Sequence, residues 1–284
     1  MDPIPFNIPL LLGSEKKYVV DSFLRKELSG GGFYTRECEA LLKKIVGCSR
    51  TLLTSSCTHA LEMCALLINI LPGDEIIMSS FNFVSAANAF VLRGAKIVFV
   101  DIRSDTLNID ERLIEQAITI RTKAILTMHY GGVACEMDTI MDIAERHGLY
   151  VIEDAAHCIG AFYKKKHLGS IGHLGTLSFH ATKNIHCGEG GALLINDSSF
   201  IERSEIIREK GTNRKKFILG EVDKYTWVDV GSSYLLSEIS AAFLLAQLEK
   251  LLNVSAQREQ LFEQYENHLV GISNSFCIGK KGNA

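Results

Sequence analysis

The sequence predicts an α/β protein whose sheet is mostly parallel and is covered by helices on both faces. Short apolar, β-rich runs alternate along the chain with segments of helical pattern. Such alternation is typical of parallel sheets, because parallel neighbours need a crossover connection that is usually a helix. Of the 284 residues, 47% are hydrophobic and 22% are charged, which suits a globular protein with a large buried core.

The first strand is predicted at Thr51-Leu52-Leu53-Thr54, a short apolar run of the kind found in buried strands. Four further elements follow, namely helices at residues 60–67 and 85–92 and strands at residues 75–78 and 96–100. The helical segments are rich in alanine and leucine, whereas the strands are rich in β-branched residues. Turns are indicated at Pro72-Gly73-Asp74 and Arg93-Gly94-Ala95, where glycine and proline interrupt the pattern.

The later elements continue this alternation. Strands are predicted at residues 124–128, 150–153, 176–179 and 191–195. A helical pattern then covers residues 239–268, with leucines among its apolar positions. The last residues, 273–284, show neither strand alternation nor the length of a domain. We therefore expect a large domain over residues 1–235, followed at residues 236–284 by a linker helix and the incomplete start of a small C-terminal domain.

Charge and hydropathy exclude several function classes. The net charge of -3 offers no polybasic face for nucleic acid or a membrane surface. No run of about 18 apolar residues is present, and Met1-Asp2-Pro3-Ile4-Pro5 lacks a signal-peptide pattern. The eight cysteines are scattered without a CxxC pair, which argues against a zinc site and against a disulfide framework. These features predict a cytoplasmic protein without a metal site.

One acid and one lysine form the main candidate for catalysis. Val151-Ile152-Glu153-Asp154 is a buried strand that ends in an acid, and Lys183 follows in a loop rich in Ser, His and Thr. A lysine amine can bond to the aldehyde carbon of pyridoxal phosphate, while a carboxylate can keep the pyridine nitrogen protonated. The alternatives are a solvated surface lysine and a helix-capping aspartate. The apolar setting of both segments favours the catalytic pair.

A phosphate site is indicated at Ser56, Cys57 and Thr58, between a predicted strand and a predicted helix. Hydroxyl and backbone N–H groups at a helix N-terminus can hold a phosphate against the positive end of the helix dipole. A plain N-cap is the alternative, since Ser and Thr often cap helices. The run Gly30-Gly31-Gly32 lacks the GxGxxG spacing of a nucleotide loop, so both an ordinary turn and a loop that closes over substrate remain open.

Three blocks resemble successive motifs of the DegT/StrS-type nucleotide-sugar aminotransferases, which are fold-type I pyridoxal phosphate enzymes. They are residues 153–157 (EDAAH), 178–184 (SFHATKN) and 188–192 (GEGGA). Residues 135–141 and 226–235 also resemble the branch of this family that makes dTDP-4-amino-4,6-dideoxygalactose. The resemblance continues in order from about residue 4 to about residue 269.

The resemblance implies roles for individual residues. Lys183 and Asp154 would be catalytic, Ser56, Cys57 and Ser178 would neighbour the cofactor phosphate, and Phe83 would stack on the cofactor ring. His157 would contact substrate or a cofactor oxygen, although a satisfied core histidine is the alternative. Many relatives carry Gly-x-Asn-x-Arg where this chain has Gly231-Ser232-Ser233-Tyr234-Leu235, so Ser233 could donate one hydrogen bond to a neighbouring subunit's phosphate.

The resemblance further implies a homodimer that moves an amino group from L-glutamate to the 4-keto carbon of a dTDP-4-keto-6-deoxyhexose. The amino sugar would supply enterobacterial common antigen or lipopolysaccharide. Two alternatives remain: another pyridoxal phosphate enzyme of this family, with a different sugar or a dehydratase reaction, and an inactive large-domain fragment that acts only in assembly. Lys183 argues against a dehydratase, because known sugar dehydratases of the family have His in its place.

Overall fold

The central element of the computed structural model, which describes residues 3–269, is a seven-stranded sheet. Its strands are β1 Arg50–Thr54, β2 Glu75–Ser79, β3 Lys96–Val100, β4 Thr122–Met128, β5 Tyr150–Asp154, β8 Leu174–Ser178 and β9 Gly191–Ile195. Strands β6 Phe162–Tyr163 and β7 Lys166–His167 form a separate hairpin. The predicted α/β fold class with a mostly parallel sheet is confirmed.

The order of strands across the sheet is β1-β9-β8-β5-β4-β2-β3. Strands β3, β2, β4, β5 and β8 are parallel to one another, whereas β9 runs antiparallel to both β8 and β1. The carboxyl ends of the other six strands therefore meet at one edge of the sheet, together with the beginning of β9. In open α/β sheets this edge is where ligands bind.

Helices cover both faces of the sheet. Their bounds are α1 Glu15–Leu24, α2 Phe33–Val46, α3 Cys57–Leu67, α4 Val84–Val91, α5 Met137–His147, α6 Ile201–Arg208, α7 Arg214–Ile218, α8 Glu238–Leu248 and α9 Leu251–Leu269. Helices α2, α5 and α8 pack into one core cluster, and α3 and α4 into the other. Successive strand residues point to opposite clusters, as Val151 and Ile152 of β5 do, because side chains alternate across a strand.

The predicted helix over residues 239–268 is divided in two. Helices α8 and α9 are bent by 60° at a short break. Apolar residues on both sides of the break, Leu248 and Leu251, belong to the same core cluster, so the bend keeps both in contact with the core. Beyond Val254 the side chains of α9 are mostly exposed. The division between residues 1–235 and 236–284 stays a prediction, and residues 273–284 lie outside the described part of the chain.

The glycine run before α2 is fixed by a remote side chain. The buried Glu238 carboxylate accepts hydrogen bonds from the backbone N–H of Gly32 at 3.0 Å, Tyr34 at 2.7 Å and Thr35 at 3.1 Å. A Cβ at Gly32 would lie 2.6 Å from the Glu27 carboxylate and 2.7 Å from that of Glu238, so a larger residue would displace these side chains. These contacts favour a fixed helix N-terminus over a loop that closes on substrate.

Within residues 3–269, no single helix is long and apolar enough to cross a membrane. Helices α8 and α9 reach that length and composition only as a bent pair, and most of α8 is buried in the core.

Candidate active site

A cavity of about 690 Å³ lies at the carboxyl edge of the sheet. It is lined by residues that follow β1, β2, β4, β5 and β8 and by the residues just before β9. Eight of the nine residues predicted for the site line it, namely Ser56, Cys57, Thr58, Phe83, Asp154, His157, Ser178 and Lys183. The shared strand edge explains why residues so distant in sequence meet.

Asp154 is the last residue of β5 and is only 4% exposed. Burial raises the pKa of its carboxyl group, although a hydrogen bond from the Ala156 N–H at 3.1 Å and the positive charge of Lys183 act in the opposite direction. No ion pair to Asp154 is present within residues 3–269. A buried carboxylate without a cation is costly, so the cavity suits a ligand that brings a positive charge to this point.

Lys183 lies in the loop after β8, where its backbone N–H donates to the carbonyl of His180 at 2.9 Å. Burial lowers the pKa of its amine, while the negative charge of Asp154 partly opposes the shift. A lowered pKa increases the fraction of neutral amine, which is the form that attacks a carbonyl carbon. The loop is also tied to the N-terminal segment, because the Asn7 side chain donates to the carbonyl of Ala181 at 3.2 Å.

His157 is held in one tautomer by its surroundings. Its Nδ1 accepts a hydrogen bond from the backbone N–H of Gly131 at 3.2 Å. Burial, with a smaller effect of the Lys183 charge, lowers the pKa of His157 to about 4. The ring is therefore neutral near pH 7 and carries its proton on Nε2. Within the described residues this N–H has no protein partner, so His157 can offer one donor to a ligand.

The proposed phosphate residues lie at the start of α3. The Ser56 hydroxyl accepts a hydrogen bond from the His59 N–H at 3.1 Å, so Ser56 is the N-cap of this helix. Ser56 therefore caps the helix, as the alternative to a phosphate site expected. The first backbone N–H groups of a helix nevertheless have no acceptor within the helix, so a bound anion can still accept from them. Cys57 and Thr58 supply such groups at the cavity wall. A Cβ at Gly191 would lie 2.3 Å from the Cys57 nitrogen, so glycine lets β9 begin directly beneath this turn.

The remaining predicted residues differ in their positions. Phe83, 73% exposed, is the N-cap residue of α4, and Ser178 is the last residue of β8. Both line the cavity. Ser233 is exposed, forms an isolated bridge with Glu209 and lies outside the cavity of its own chain. Its expected contact with a neighbouring subunit stays a prediction.

Several lining residues were given no role from the sequence, apart from His180, which is a polar candidate beside the preferred His157. Phe81 and Tyr130 pack with ring centroids 4.6 Å apart, and Asn82 lies beside them. His180 lies close to Glu189, with 3.4 Å between Nε2 and Oε1. Each of these residues lies within three positions after the end of a strand or, for Glu189, two positions before β9. Their positions after strand ends were the signal that could have identified them.

The residues fit pyridoxal phosphate. The carboxylate of Asp154 lacks a cationic partner, the Lys183 amine faces the same cavity, and the N-terminus of α3 can hold an anion. An exposed aromatic ring, Phe83, also lies on the wall and can pack against a planar ligand. No group of three or more His, Cys, Asp or Glu residues able to hold a metal is present within residues 3–269.

Comparisons with known proteins agree with this geometry. The sequence profile of the DegT/DnrJ/EryC1/StrS aminotransferase family matches residues 11–283. The spore coat polysaccharide biosynthesis protein SpsC of Bacillus subtilis is 35% identical over 266 residues, which cover 93% of this chain and 68% of SpsC.

Two solved structures are similar in fold. Helicobacter pylori PseC, described as an aminotransferase of pseudoaminic acid biosynthesis, has a TM-score of 0.87 and 30% identity, covering 95% of this chain and 71% of PseC. The PLP-form of Spr1654 from Streptococcus pneumoniae is described as a sugar aminotransferase. It has a TM-score of 0.86 and 28% identity, and the match covers 94% of this chain and 72% of the Spr1654 chain. Spr1654 is also known in a PMP-form.

Proposed function

Because this chain belongs to the DegT/DnrJ/EryC1/StrS aminotransferase family, we propose that it transfers an amino group from L-glutamate to a keto sugar carried on a nucleotide. The family uses pyridoxal phosphate, and its solved members include forms with the cofactor. The observation that carries the proposal is that Lys183 and Asp154 face one cavity at the carboxyl edge of the sheet.

Each residue of the cavity would have a separate role in the reaction. The cofactor, when bound, supplies an aldehyde carbon and a ring that accepts electrons. Asp154 would hold a proton on the ring nitrogen, which also neutralises its own buried charge. The N–H groups at the start of α3 and the Ser178 hydroxyl would hold the phosphate, and Phe83 would cover the ring. The Nε2–H of His157 would donate to an oxygen of the cofactor or the substrate.

Lys183 would also move protons. Its neutral amine can accept the proton from the α-carbon of glutamate and would pass it to the cofactor. Water would then release the donor as 2-oxoglutarate and leave the amino group with the cofactor. In the second half of the reaction the keto oxygen would leave as water as the amino group passes from the cofactor to C4 of the sugar. The same amine would carry the proton from the cofactor to C4, which gives the amino sugar. Burial lowers the pKa of Lys183 and so favours the neutral amine needed for the first step.

For the sugar we propose a dTDP-4-keto-6-deoxyhexose, with dTDP-4-amino-4,6-dideoxygalactose as product. The support is the resemblance of residues 135–141 and 226–235 to that branch of the family. PseC is described as belonging to a different sugar pathway, so the family allows other substrates. A supply of amino sugar to enterobacterial common antigen or lipopolysaccharide would follow from the proposed product.

We further propose that two copies of the chain complete the site. The segment from Lys224 to Ser233 is the part that resembles the cross-subunit contribution of the family. It is mostly exposed and includes Trp227 at 79% exposure. Ser233 would then donate its hydrogen bond to the phosphate in the partner's cavity.

Two measurements test the proposal. The protein with pyridoxal phosphate should show a visible absorbance band that L-glutamate removes. Incubation with glutamate and a panel of dTDP- and UDP-linked keto sugars should then give one amino sugar by mass spectrometry. A protein without the band, or one with the band that aminates none of these sugars, would contradict the proposed function.

A further inference from the structure

Asn82 has an unsatisfied donor at the cavity wall. The residue lies in the loop between β2 and α4, and its side chain lines the cavity. Its Nδ2 is buried and has no hydrogen-bond partner within the described residues. A buried polar group left in this state is destabilising, so such groups usually have a partner in the functional state of the protein.

The orientation of the Asn82 amide is fixed by the backbone. Its Oδ1 accepts a hydrogen bond from the N–H of Phe83 at 2.7 Å. A flipped amide would place two donors against each other, so the nitrogen must be the free atom. The missing partner is therefore a hydrogen-bond acceptor.

The place of Asn82 in the sheet separates it from the phosphate residues. In the order of strands across the sheet, β2, which precedes Asn82, lies two places from β5 on one side. Strand β1, which precedes Ser56, lies three places from β5 on the other side. Adjacent strands are about 4.8 Å apart, so Asp154 stands between the two groups. Asn82 thus lies at the end of the cavity remote from the proposed phosphate site.

The neighbours of Asn82 give this end of the cavity a mixed character. Phe81, 40% exposed, packs against Tyr130 with ring centroids 4.6 Å apart, which makes a rigid apolar wall. A single donor beside an aromatic wall suits a sugar, because a deoxyhexose has an apolar edge and oxygen acceptors close together.

We propose that the Asn82 Nδ2 donates a hydrogen bond to an oxygen of the acceptor sugar that carries no proton, the keto or the ring oxygen, and that the apolar edge of the sugar packs on Phe81 and Tyr130. Asn82 is thereby a specificity residue for the sugar and has no part in binding the cofactor or glutamate. This inference rests on the proposed function and extends it to one contact.

The variant Asn82→Asp tests the contact with little change of shape. It keeps the oxygen that accepts from the Phe83 N–H and replaces the free donor by a second oxygen, which repels the oxygen of the sugar. We expect the KM for the keto sugar to rise about tenfold or more, because a site built to donate rejects a mismatched group strongly. The cofactor absorbance and the rate of the half-reaction with glutamate should stay unchanged. Asn88→Asp, at an exposed position of α4, is the matched control and should leave every value unchanged.

The outcomes separate this inference from the function on which it rests. A wild-type protein that aminates a sugar, with an unchanged sugar KM in Asn82→Asp, overturns the Asn82 contact alone. An equal loss in cofactor affinity or in the glutamate half-reaction also overturns it, since Asn82 would then serve the cofactor. If the wild-type protein aminates no sugar, calorimetry with a dTDP-sugar decides: weaker binding by Asn82→Asp supports the contact, and equal or absent binding overturns it.

Discussion

Asp154 and Lys183 carry opposite charges, yet burial pushes both towards neutrality. The pKa of Asp154 is raised and that of Lys183 is lowered, each chiefly by desolvation. A site with these shifts gains from a ligand that brings a cationic nitrogen to the acid and an electrophilic carbon to the amine. Their position at one strand edge was predictable from residues 150–154 and 178–184. The tautomer of His157 was not, since it depends on the N–H of Gly131 in another loop.

Replacement of Lys183 by alanine should abolish turnover, because no other residue of the proposed site supplies both an amine for the cofactor and a proton carrier. In the wild-type protein, borohydride should fix the cofactor to the peptide that contains Lys183, as read by mass spectrometry. Label found on any other peptide would contradict the assignment.

Asp154→Asn keeps the size of the side chain and removes its charge. The phosphate contacts remain, so the variant should still bind the cofactor. The half-reaction with glutamate should slow by orders of magnitude, since about 1.4 kcal/mol of lost transition-state stabilisation is tenfold in rate. Stopped-flow absorbance measures this rate, and unchanged kinetics would leave Asp154 with a structural role only.

His157 should make the cofactor-free protein sensitive to acid. Its pKa is about 4 in the folded protein and near 6.5 when exposed, so the unfolded state binds the proton first as the pH falls. The resulting stability is present above pH 6.5 and is lost as the pH falls towards 4. Thermal unfolding from pH 7.5 to 4.5 should therefore show a steeper loss for the wild-type protein than for His157→Gln. If the melting temperatures of the two proteins fell in parallel with pH, the titration of His157 would not contribute to the loss of stability.

At the scale of elements, the start of α2 depends on the start of α8. Glu238 of α8 accepts hydrogen bonds from three backbone N–H groups at the N-terminus of α2. Glu238 and Gly32, which form one of these bonds, are 206 positions apart in the sequence. Local pattern predicted strands β3 and β9 with the bounds they have in the structure. It could not predict this cap or the break between α8 and α9, because both arise from contacts between segments distant in sequence.

Glu238→Gln should lower the free energy of unfolding by about 1–3 kcal/mol, since a neutral amide is a weaker acceptor at a helix N-terminus and brings donors to a place that needs none. Denaturant unfolding measures the change. Glu37→Gln, at an exposed position of α2, is the control and should have little effect. Equal effects of the two variants would show that the cap adds little stability.

The surface of the whole molecule contains apolar side chains that suit an interface. Phe217, Ile218 and Leu219 are 45–64% exposed, and Trp227 of the proposed cross-subunit segment is 79% exposed. Exposed apolar residues that cluster in this way often mark an interaction surface. The proposed homodimer would depend on contacts between two chains, which the local pattern of one sequence does not encode.

Trp227→Ser should weaken the dimer and, with it, the affinity for pyridoxal phosphate, because Ser233 of one chain would no longer reach its partner. Sedimentation velocity of the cofactor-loaded protein at several concentrations measures the first effect and absorbance titration the second. A wild-type monomer with full transaminase activity would refute the shared site.

The edge position of β1 sets the order in which the molecule can fold. Within residues 3–269, strand β1 pairs with β9 alone, and β9 is the last strand of the sheet in sequence order. Contacts between distant segments form slowly, because a long loop must close before they are made. The turn of Ser56 and Cys57 lies against Gly191 at the start of β9, so we expect it to reach its final shape only when that pairing is complete. During refolding, circular dichroism should therefore recover before the capacity to bind cofactor does, which would make cofactor binding a late marker of the native state.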